Sequence, residues 1–132
     1  MKAPELTENE IQRAVFANFT ARSSPFVFAF HPKNGGVHQV GRRAGINSGL
    51  GVVSGIPDIV IFKVNSFGHT VVYALELKRE GRRGKTPTQH ELDQERTRHR
   101  MTECGVLCGV VYGLDEALAW LEEAGLLIGK SL

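Results

Sequence analysis

The pattern of apolar and polar positions predicts two paired strands in the middle of the chain. Residues 55–62 read GIPDIVIF, and the apolar side chains after Asp58 indicate a central strand covered on both faces. Residues 71–78 read VVYALELK, so one face is apolar throughout while the other becomes ionic at Glu76 and Lys78. A short polar turn between the two segments predicts a hairpin. Pairing in this hairpin brings Asp58, Glu76 and Lys78 to one edge of the sheet.

Three other segments have helical periodicity. Thr7 and Glu10 are spaced as a capping box. The apolar stripe that follows predicts packing on the sheet through Ile11, Ala14, Val15 and Phe19. A second capping-box pattern, with Thr86 as N-cap and Gln89 at the third helical position, predicts a helix that continues to about Cys104. A third helix with its own apolar stripe follows the last predicted strand.

The order of the predicted elements defines the fold class. Apolar runs at residues 26–30 and 106–112 predict two more strands, the second of them buried. The order is therefore helix, strand, long loop, strand, strand, helix, strand, helix. It predicts an α/β protein in which helices flank a mixed central β-sheet. The length of 132 residues predicts a single domain that spans residues 1–132.

Composition narrows the class of protein. The chain is 42% hydrophobic and 23% charged, which is typical of a globular protein. No apolar run is long enough to cross a bilayer and none resembles a secretion signal, so we expect a cytoplasmic protein without a membrane partner. Cys104 and Cys108 lack nearby ligands that would complete a zinc site, and we expect both thiols to be reduced and buried.

Basic residues are concentrated on both sides of the predicted strand ends. The net charge is only +2, but residues 31–57 hold three basic residues and no acidic one, and residues 78–100 hold eight basic and four acidic ones. DNA phosphates would have to lie beside these segments. We expect DNA contacts in the glycine-rich loop from His31, Lys33, Asn34, Arg42 and Arg43, and after the second strand from Arg79, Arg82, Arg83 and Lys85. The alternative is an ordinary solvated surface.

The acidic residues at the sheet edge have the chemistry of a metal site. Asp58 and Glu76, when close, repel each other unless a cation lies between them. Mg²⁺ suits such a pair because it binds through one or two carboxylates together with waters and substrate phosphate. The alternative is structural, with Asp58 capping a turn and Glu76 in a salt bridge with Lys78.

These motifs resemble those of the PD-(D/E)XK nuclease superfamily and, more narrowly, the stand-alone VRR-NUC (virus-type replication-repair nuclease) domain. The resemblance extends over nearly the whole chain. It rests on the order of four short motifs: His31-x-x-Asn34-Gly35-Gly36, Gly55-x-Pro57-Asp58, Glu76-x-Lys78-Arg79 and Thr86-Pro87-Thr88-Gln89.

The resemblance implies a restriction-endonuclease-like core and a structure-selective DNA endonuclease that depends on Mg²⁺ or Mn²⁺. Asp58, Glu76 and the Leu77 carbonyl would hold the metal, and Lys78 would orient the attacking water or neutralise phosphate charge. The resemblance also implies homodimers that act on branched DNA, Holliday junctions included.

Two further residues have both a catalytic and a structural interpretation. The family places an acidic residue of the first helix at the metal site, for which Glu10 or Glu8 is the candidate, and a glutamine near the metal, for which Gln89 is the candidate. Helix capping explains Glu10 and Gln89 equally well.

Two other functions remain open. One is a non-catalytic DNA-binding module with the same fold. The other is a nuclease that acts on flaps, ends or specific duplex sites. The apolar tail at Leu126, Leu127 and Ile128 predicts, in addition, a contact with a second copy of the chain.

Overall fold

The helices and strands follow the order that the sequence predicts. The computed structural model describes residues 4–32 and 49–132. Its elements are α1 (Glu8–Arg22), β1 (Val27–Phe30), β2 (Ile59–Val64), β3 (Thr70–Lys78), α2 (Gln89–Glu103), β4 (Leu107–Tyr112) and α3 (Leu114–Glu123). A 3-10 turn at Glu80–Arg82 follows β3.

The four strands form one mixed sheet in the order β1-β2-β3-β4. β2 pairs antiparallel with β1 and with β3, whereas β3 pairs parallel with β4. The β2–β3 hairpin ends with Ile59 opposite Leu75, so Asp58 lies just beyond the last pair, beside Glu76. The predicted α/β class, a mixed sheet flanked by helices, is confirmed.

One face of the sheet packs against α1 and α3. The core on this face consists of Ile11, Val15, Phe19, Ile59, Ile61, Leu75, Leu77, Val111, Ala117, Leu118, Leu121, Leu126 and Leu127. Leu126 and Leu127 are buried in the chain's own core, and Leu127 forms a β-bridge with Ser23. The prediction that the tail contacts a second copy is therefore wrong for these two leucines, and only Ile128 is exposed.

The opposite face carries α2, which covers β3 and β4 with little apolar contact. Glu76 and Lys78 alternate with the buried Leu75 and Leu77 along β3, so they point to this face, where both contact Gln94 of α2. On the same face of the sheet, beside β1, no described helix covers Phe62 and Val64 of β2, and both are exposed. β2 lies inside the sheet as predicted, but the described helices cover only one of its faces.

Two helix boundaries test the capping predictions. Thr7 and Glu10 form the predicted capping box, with reciprocal side-chain to backbone hydrogen bonds. The start predicted for α2 is wrong by two residues, because Thr88 is the N-cap and Glu91 completes the box. A carboxylate near the positive end of the helix dipole is a stronger partner than the neutral amide of Gln89.

β4 differs from the buried strand that was predicted. It is the last strand in the sheet order, and Leu107 is exposed while only Val111 is fully buried. An edge strand is covered on fewer sides than a central one, which accounts for the partial burial of its apolar residues.

Two expectations from composition can also be compared with the structure. Along residues 4–32 and 49–132, no helix is both long and apolar enough to cross a membrane. Both cysteines are free thiols, and Cys108 is half-buried. Cys104 is exposed rather than buried, because it caps the C-terminal end of α2.

Candidate active site

The hairpin and the turn before it bring Asp58, Glu76 and Lys78 to one pocket of about 470 Å³. We call it the carboxylate pocket. Its walls are formed by Glu8, His31, Pro32, Gly55, Ile56, Asp58, Glu76, Lys78, Arg82, Thr88, His90, Glu91 and Gln94. Asp58 is fixed at the mouth of β2 because its Oδ2 accepts a hydrogen bond of 2.8 Å from the Leu77 backbone N–H.

Glu76 is a buried carboxylate with one oxygen unsatisfied. The residue is 1% exposed, and its Oε1 accepts a hydrogen bond of 3.0 Å from Gln94 Nε2. Its Oε2 is buried and has no hydrogen-bond donor among the described residues. Burial raises the pKa of Glu76 well above the ordinary value, and the neighbouring Asp58 carboxylate raises it further. A positive charge placed between the two carboxylates would offset both the free-energy cost of burying an ionised carboxylate and the repulsion between Glu76 and Asp58.

Lys78 is held by Gln94 rather than by Glu76. Its Nζ donates a hydrogen bond of 2.6 Å to Gln94 Oε1 and lies 3.6 Å from Glu91 Oε2. Gln94 therefore uses its carbonyl for the ammonium group and its amide for the carboxylate, which fixes both side chains. The salt bridge between Glu76 and Lys78 considered as a structural alternative does not form among the described residues.

Glu91 links the start of α2 to the basic residues. It completes the capping box with Thr88 and forms an ion pair with Arg82. The backbone N–H of Thr88 is the main reason that the pKa of Glu91 falls to about 2, and Arg82 and Lys78 contribute to this shift. Glu91 is therefore a permanently ionised partner for both cations at neutral pH.

Of the two acidic candidates on α1, Glu8 lines the carboxylate pocket. Burial raises the pKa of Glu8, and the nearby charges of Asp58 and Glu91 also raise it, whereas Lys78 lowers it. Glu10 instead lies in the capping box outside this lining, and hydrogen bonds from Thr7 lower its pKa.

The sequence contained a signal that favours Glu8. Glu8, Ile11 and Val15 are spaced i, i+3 and i+7, so Glu8 extends the same helical face that packs on the sheet. The capping-box pattern drew attention to Glu10 instead.

The glutamine in the carboxylate pocket is Gln94, not Gln89. Gln89 occupies the first position of α2, where it is exposed and its amide donates to Asp93 Oδ1 at 3.2 Å. Gln94 is the only residue of α2 that is fully buried. The signal for it was the spacing of Gln94, Thr97, Arg98 and Met101 at i, i+3, i+4 and i+7, which marks one helical face although only one member is apolar.

The residues predicted to contact DNA fall into three groups. Lys33, Asn34, Arg42 and Arg43 lie outside the described residues. His31 lines the carboxylate pocket, and its Nδ1 lies 2.6 Å from the backbone oxygen of Asp58. The third group, Arg79, Arg82, Arg83 and Lys85, lies in the loop after β3.

The arginines of this loop are paired with carboxylates of the same chain. Arg79 forms an ion pair with Glu5 and Arg82 with Glu91.

Arg83 makes the most internal contacts of the four. It pairs with Glu80 and Glu116, donates to the Tyr112 carbonyl and lies over the Tyr112 ring at 5.2 Å. The hydrogen bonds to Glu80 and Glu116 raise the pKa of Arg83. Arg83 thus ties the loop to β4 and α3.

The ligand set fits a hard divalent cation. Among residues 4–32 and 49–132, no three His, Cys, Asp or Glu side chains are grouped as a metal site. Mg²⁺ needs only one or two carboxylates, and the unsatisfied Glu76 Oε2 beside Asp58 provides such a pair. The N–H and C=O of one strand residue point to the same side. The Leu77 carbonyl therefore lies on the side of β3 where its N–H meets Asp58.

Comparisons with known proteins bear on the fold. No protein-family model and no curated protein sequence matches the chain. A solved structure described as a VRR_NUC domain protein is 19% identical over 98% of each chain, with a TM-score of 0.65. Another, described as a VRR_NUC domain, is 19% identical over 89% of this chain and 97% of its own, with a TM-score of 0.51. At this level of identity the likeness concerns the fold, and the fold of this chain is that of the VRR_NUC domains.

Proposed function

We propose that this protein is a Mg²⁺- or Mn²⁺-dependent DNA endonuclease that hydrolyses phosphodiester bonds at the carboxylate pocket. The observation that carries the proposal is the unsatisfied, buried Oε2 of Glu76 beside Asp58, since a buried oxygen without a donor is costly unless a cation or a proton occupies it. The VRR_NUC-type fold supports the nuclease class.

Asp58, Glu76 and the Leu77 carbonyl would hold the metal. When bound, the cation would polarise the scissile phosphate, lower the pKa of a water molecule and stabilise the charge that develops on the phosphate oxygens. Glu8, which lines the same pocket, would accept a hydrogen bond from a water molecule beside the metal.

Lys78 would supply the fixed positive charge. Gln94 and Glu91 hold its Nζ in a buried position, so no reorganisation is needed when negative charge grows on the phosphate. A compact ammonium group with three donors suits this task.

DNA is the proposed substrate, and branched DNA such as a Holliday junction is the proposed preference. The basic loop after β3 supports a polyanionic substrate, and His31 at the pocket adds a further donor. We place the protein in the cytoplasm, where an exposed free thiol such as Cys104 stays reduced.

The decisive experiment is nicking of supercoiled plasmid by the purified protein with Mg²⁺ or Mn²⁺. We expect nicking that chelator abolishes and that Asp58→Asn reduces at least roughly 100-fold, because the metal loses a carboxylate. Asp115→Asn is the matched control, since it makes the same change at an exposed position of α3 outside the carboxylate pocket. DNA binding without metal-dependent nicking would instead identify a non-catalytic DNA-binding module.

A panel of synthetic substrates tests the structural preference. Four-way junctions, flaps and linear duplexes of the same sequence are compared at equal concentration with each metal. We expect the junction to be cut fastest. Equal rates on all three would contradict structure selectivity, and a faster rate on flaps or ends would assign the substrate to that class.

We also propose that the protein acts as a homodimer, because two sites related by a two-fold axis suit paired nicks in a junction. An aromatic cluster on the outer face of β1 and β2 supports this: Phe28 and Phe62 stack at 6.4 Å and are 63% and 39% exposed. Sedimentation equilibrium is expected to give a dimer that Phe28→Glu dissociates and that Phe67→Glu, in the hairpin turn, leaves intact. A monomeric wild-type protein would overturn this part of the proposal.

A further inference from the structure

A second, smaller pocket adjoins the carboxylate pocket and is lined by cations. Its volume is about 130 Å³, and it shares Lys78, Arg82, Glu91 and Gln94 with the carboxylate pocket but not Asp58 or Glu76. We call it the basic pocket. Four basic and two acidic side chains line it, and the basic residues that it adds are Lys85 and Arg98.

Arg98 comes one turn after Gln94 on α2, so the two share a helical face. Arg98 lines the basic pocket, which adjoins the carboxylate pocket through the four residues that the two pockets share. Neither Arg98 nor Lys85 has a side-chain hydrogen bond or ion pair with any residue in the described part of the chain. By contrast, Arg79, Arg82 and Arg83 are all paired with carboxylates.

The two acidic residues of the basic pocket do not neutralise these cations. Glu91 is already engaged by Thr88, Arg82 and Lys78. Glu95 is exposed and forms no ion pair with Arg98, although the two are three residues apart on the same helix. Arg98 and Lys85 thus bring two unpaired positive charges to one concave site beside the carboxylate pocket. Such a site favours the binding of an anion.

We propose that the basic pocket is a phosphate subsite that binds a backbone phosphate of the DNA strand next to the phosphate in the carboxylate pocket. The inference rests on the proposed function for its choice of DNA. Arg98 and Lys85 supply the binding charge, and the guanidinium of Arg98 can hold two phosphate oxygens at once. Arg82, which lines both pockets, connects this subsite to the carboxylate pocket. Occupancy of the subsite sets the register of the strand and so positions the scissile bond.

The first test measures binding of a DNA oligonucleotide by the wild-type protein and variants in chelator, over a range of salt concentrations. For Arg98→Gln and for Lys85→Gln we expect affinity to fall roughly tenfold. The slope of log affinity against log salt is expected to fall by about one, the value for one lost phosphate contact. Arg100→Gln is the matched control, because Arg100 lies on the same helix but lines neither pocket. Unchanged affinity and slope in both test variants would overturn the proposal.

The second test locates the phosphate. A series of oligonucleotides, each with one neutral methylphosphonate linkage, is bound by the wild-type protein and by Arg98→Gln. One internal position is expected to weaken wild-type binding and to have no further effect on Arg98→Gln. Loss at no internal position would refute a backbone subsite. A loss seen only when a 5′-phosphate is replaced by a 5′-hydroxyl would refute it in favour of a terminal phosphate.

These tests are independent of catalysis. If the wild-type protein binds DNA through the basic pocket but never nicks it, the proposed enzyme fails and the subsite stands. If the protein nicks DNA and the two variants bind normally, the subsite fails and the enzyme stands.

Discussion

At the scale of single residues, the site depends on Gln94, a side chain that ties a carboxylate to an ammonium group. Glu76 and Lys78 are two positions apart on the same face of β3, and Gln94 bonds to both from above. Direct contact between the two charges would neutralise the groups that a metal and a phosphate need. The neutral amide keeps the two charges apart and gives each of them one buried hydrogen bond.

Replacing Gln94 by Leu is expected to destabilise the protein by about 2–4 kcal/mol, since Glu76 and Lys78 each lose a buried hydrogen bond. Metal-dependent nicking is expected to fall at the same time. Urea unfolding measures the free energy of unfolding. Gln89→Leu makes the same change at an exposed position of α2 and is expected to cost less than about 0.5 kcal/mol. Equal costs for both variants would contradict the assignment of Gln94.

The two acidic residues of α1 allow a matched comparison. Glu8→Gln is expected to slow nicking roughly tenfold or more, because it removes a charge that faces Asp58 and Lys78 in the carboxylate pocket. Glu10→Gln should leave the rate unchanged, since glutamine also completes a capping box. The measurement is the single-turnover rate of nicking at saturating metal. A larger loss of rate for Glu10→Gln than for Glu8→Gln would assign the catalytic role to Glu10 instead.

At the scale of elements, α2 is positioned by close backbone contact rather than by an apolar stripe. Gly55 has a φ of 80° and packs so closely on α2 that a Cβ there would lie 2.9 Å from the Asp93 backbone oxygen. Thr97 adds a hydrogen bond of 2.7 Å to the Ser54 carbonyl. The turn before Asp58 therefore sets the position of the helix that carries Gln94.

Gly55→Ala is expected to cost about 1–2 kcal/mol for the left-handed backbone and about 1–3 kcal/mol more for the overlap with α2. Gly68→Ala is the control, because Gly68 has a φ of 81° but no atom within 4 Å of an added Cβ. Chemical denaturation should show the larger loss for Gly55→Ala, together with slower nicking that Gly68→Ala does not share. Equal losses would mean that the contact with α2 contributes nothing.

At the scale of the whole molecule, the buried carboxylate makes stability depend on pH and on metal. The pKa of Glu76 is raised from its ordinary value of 4.5, so above that pH the folded protein keeps a proton that the unfolded chain releases. The free energy of unfolding therefore falls as pH rises from 4.5 towards the raised pKa, by up to about 1.4 kcal/mol per pH unit for one such group. A cation that binds the ionised form reverses this loss.

Thermal melts in chelator are expected to give a lower Tm at pH 8 than at pH 6, and Mg²⁺ is expected to raise Tm more at pH 8. Glu76→Gln should flatten the pH dependence and remove the Mg²⁺ effect. Glu95→Gln, an exposed carboxylate on α2, should change neither. If Glu76→Gln shows the same dependence of Tm on pH as the wild-type protein, a group other than Glu76 controls that dependence.

The position and the chemistry of the strand edge follow from the sequence alone. A strand alternates its faces every second residue whatever surrounds it, so the pattern that ends in Glu76 and Lys78, joined by a polar turn to the segment after Asp58, was sufficient to place all three together. The capping box at the start of α1 was equally local, because its hydrogen bonds span three residues.

The side chains that complete this edge could be identified only from the folded chain. Glu8 lines the carboxylate pocket because the apolar stripe of α1 packs on the sheet and so fixes the orientation of that helix. Gln94 lines it because α2 packs against Gly55. Both orientations depend on contacts between segments that are far apart in the chain. For the same reason the loop cations looked alike in the sequence, yet Arg83 is bound to Glu116 of α3. Arg98 was one of eight basic residues in the segment 78–100, and the sequence did not single it out, yet it lines the basic pocket. The orientation of each helix and the pairing of each cation depend on packing between distant segments. The local periodicity of apolar and polar residues contains no information about that packing.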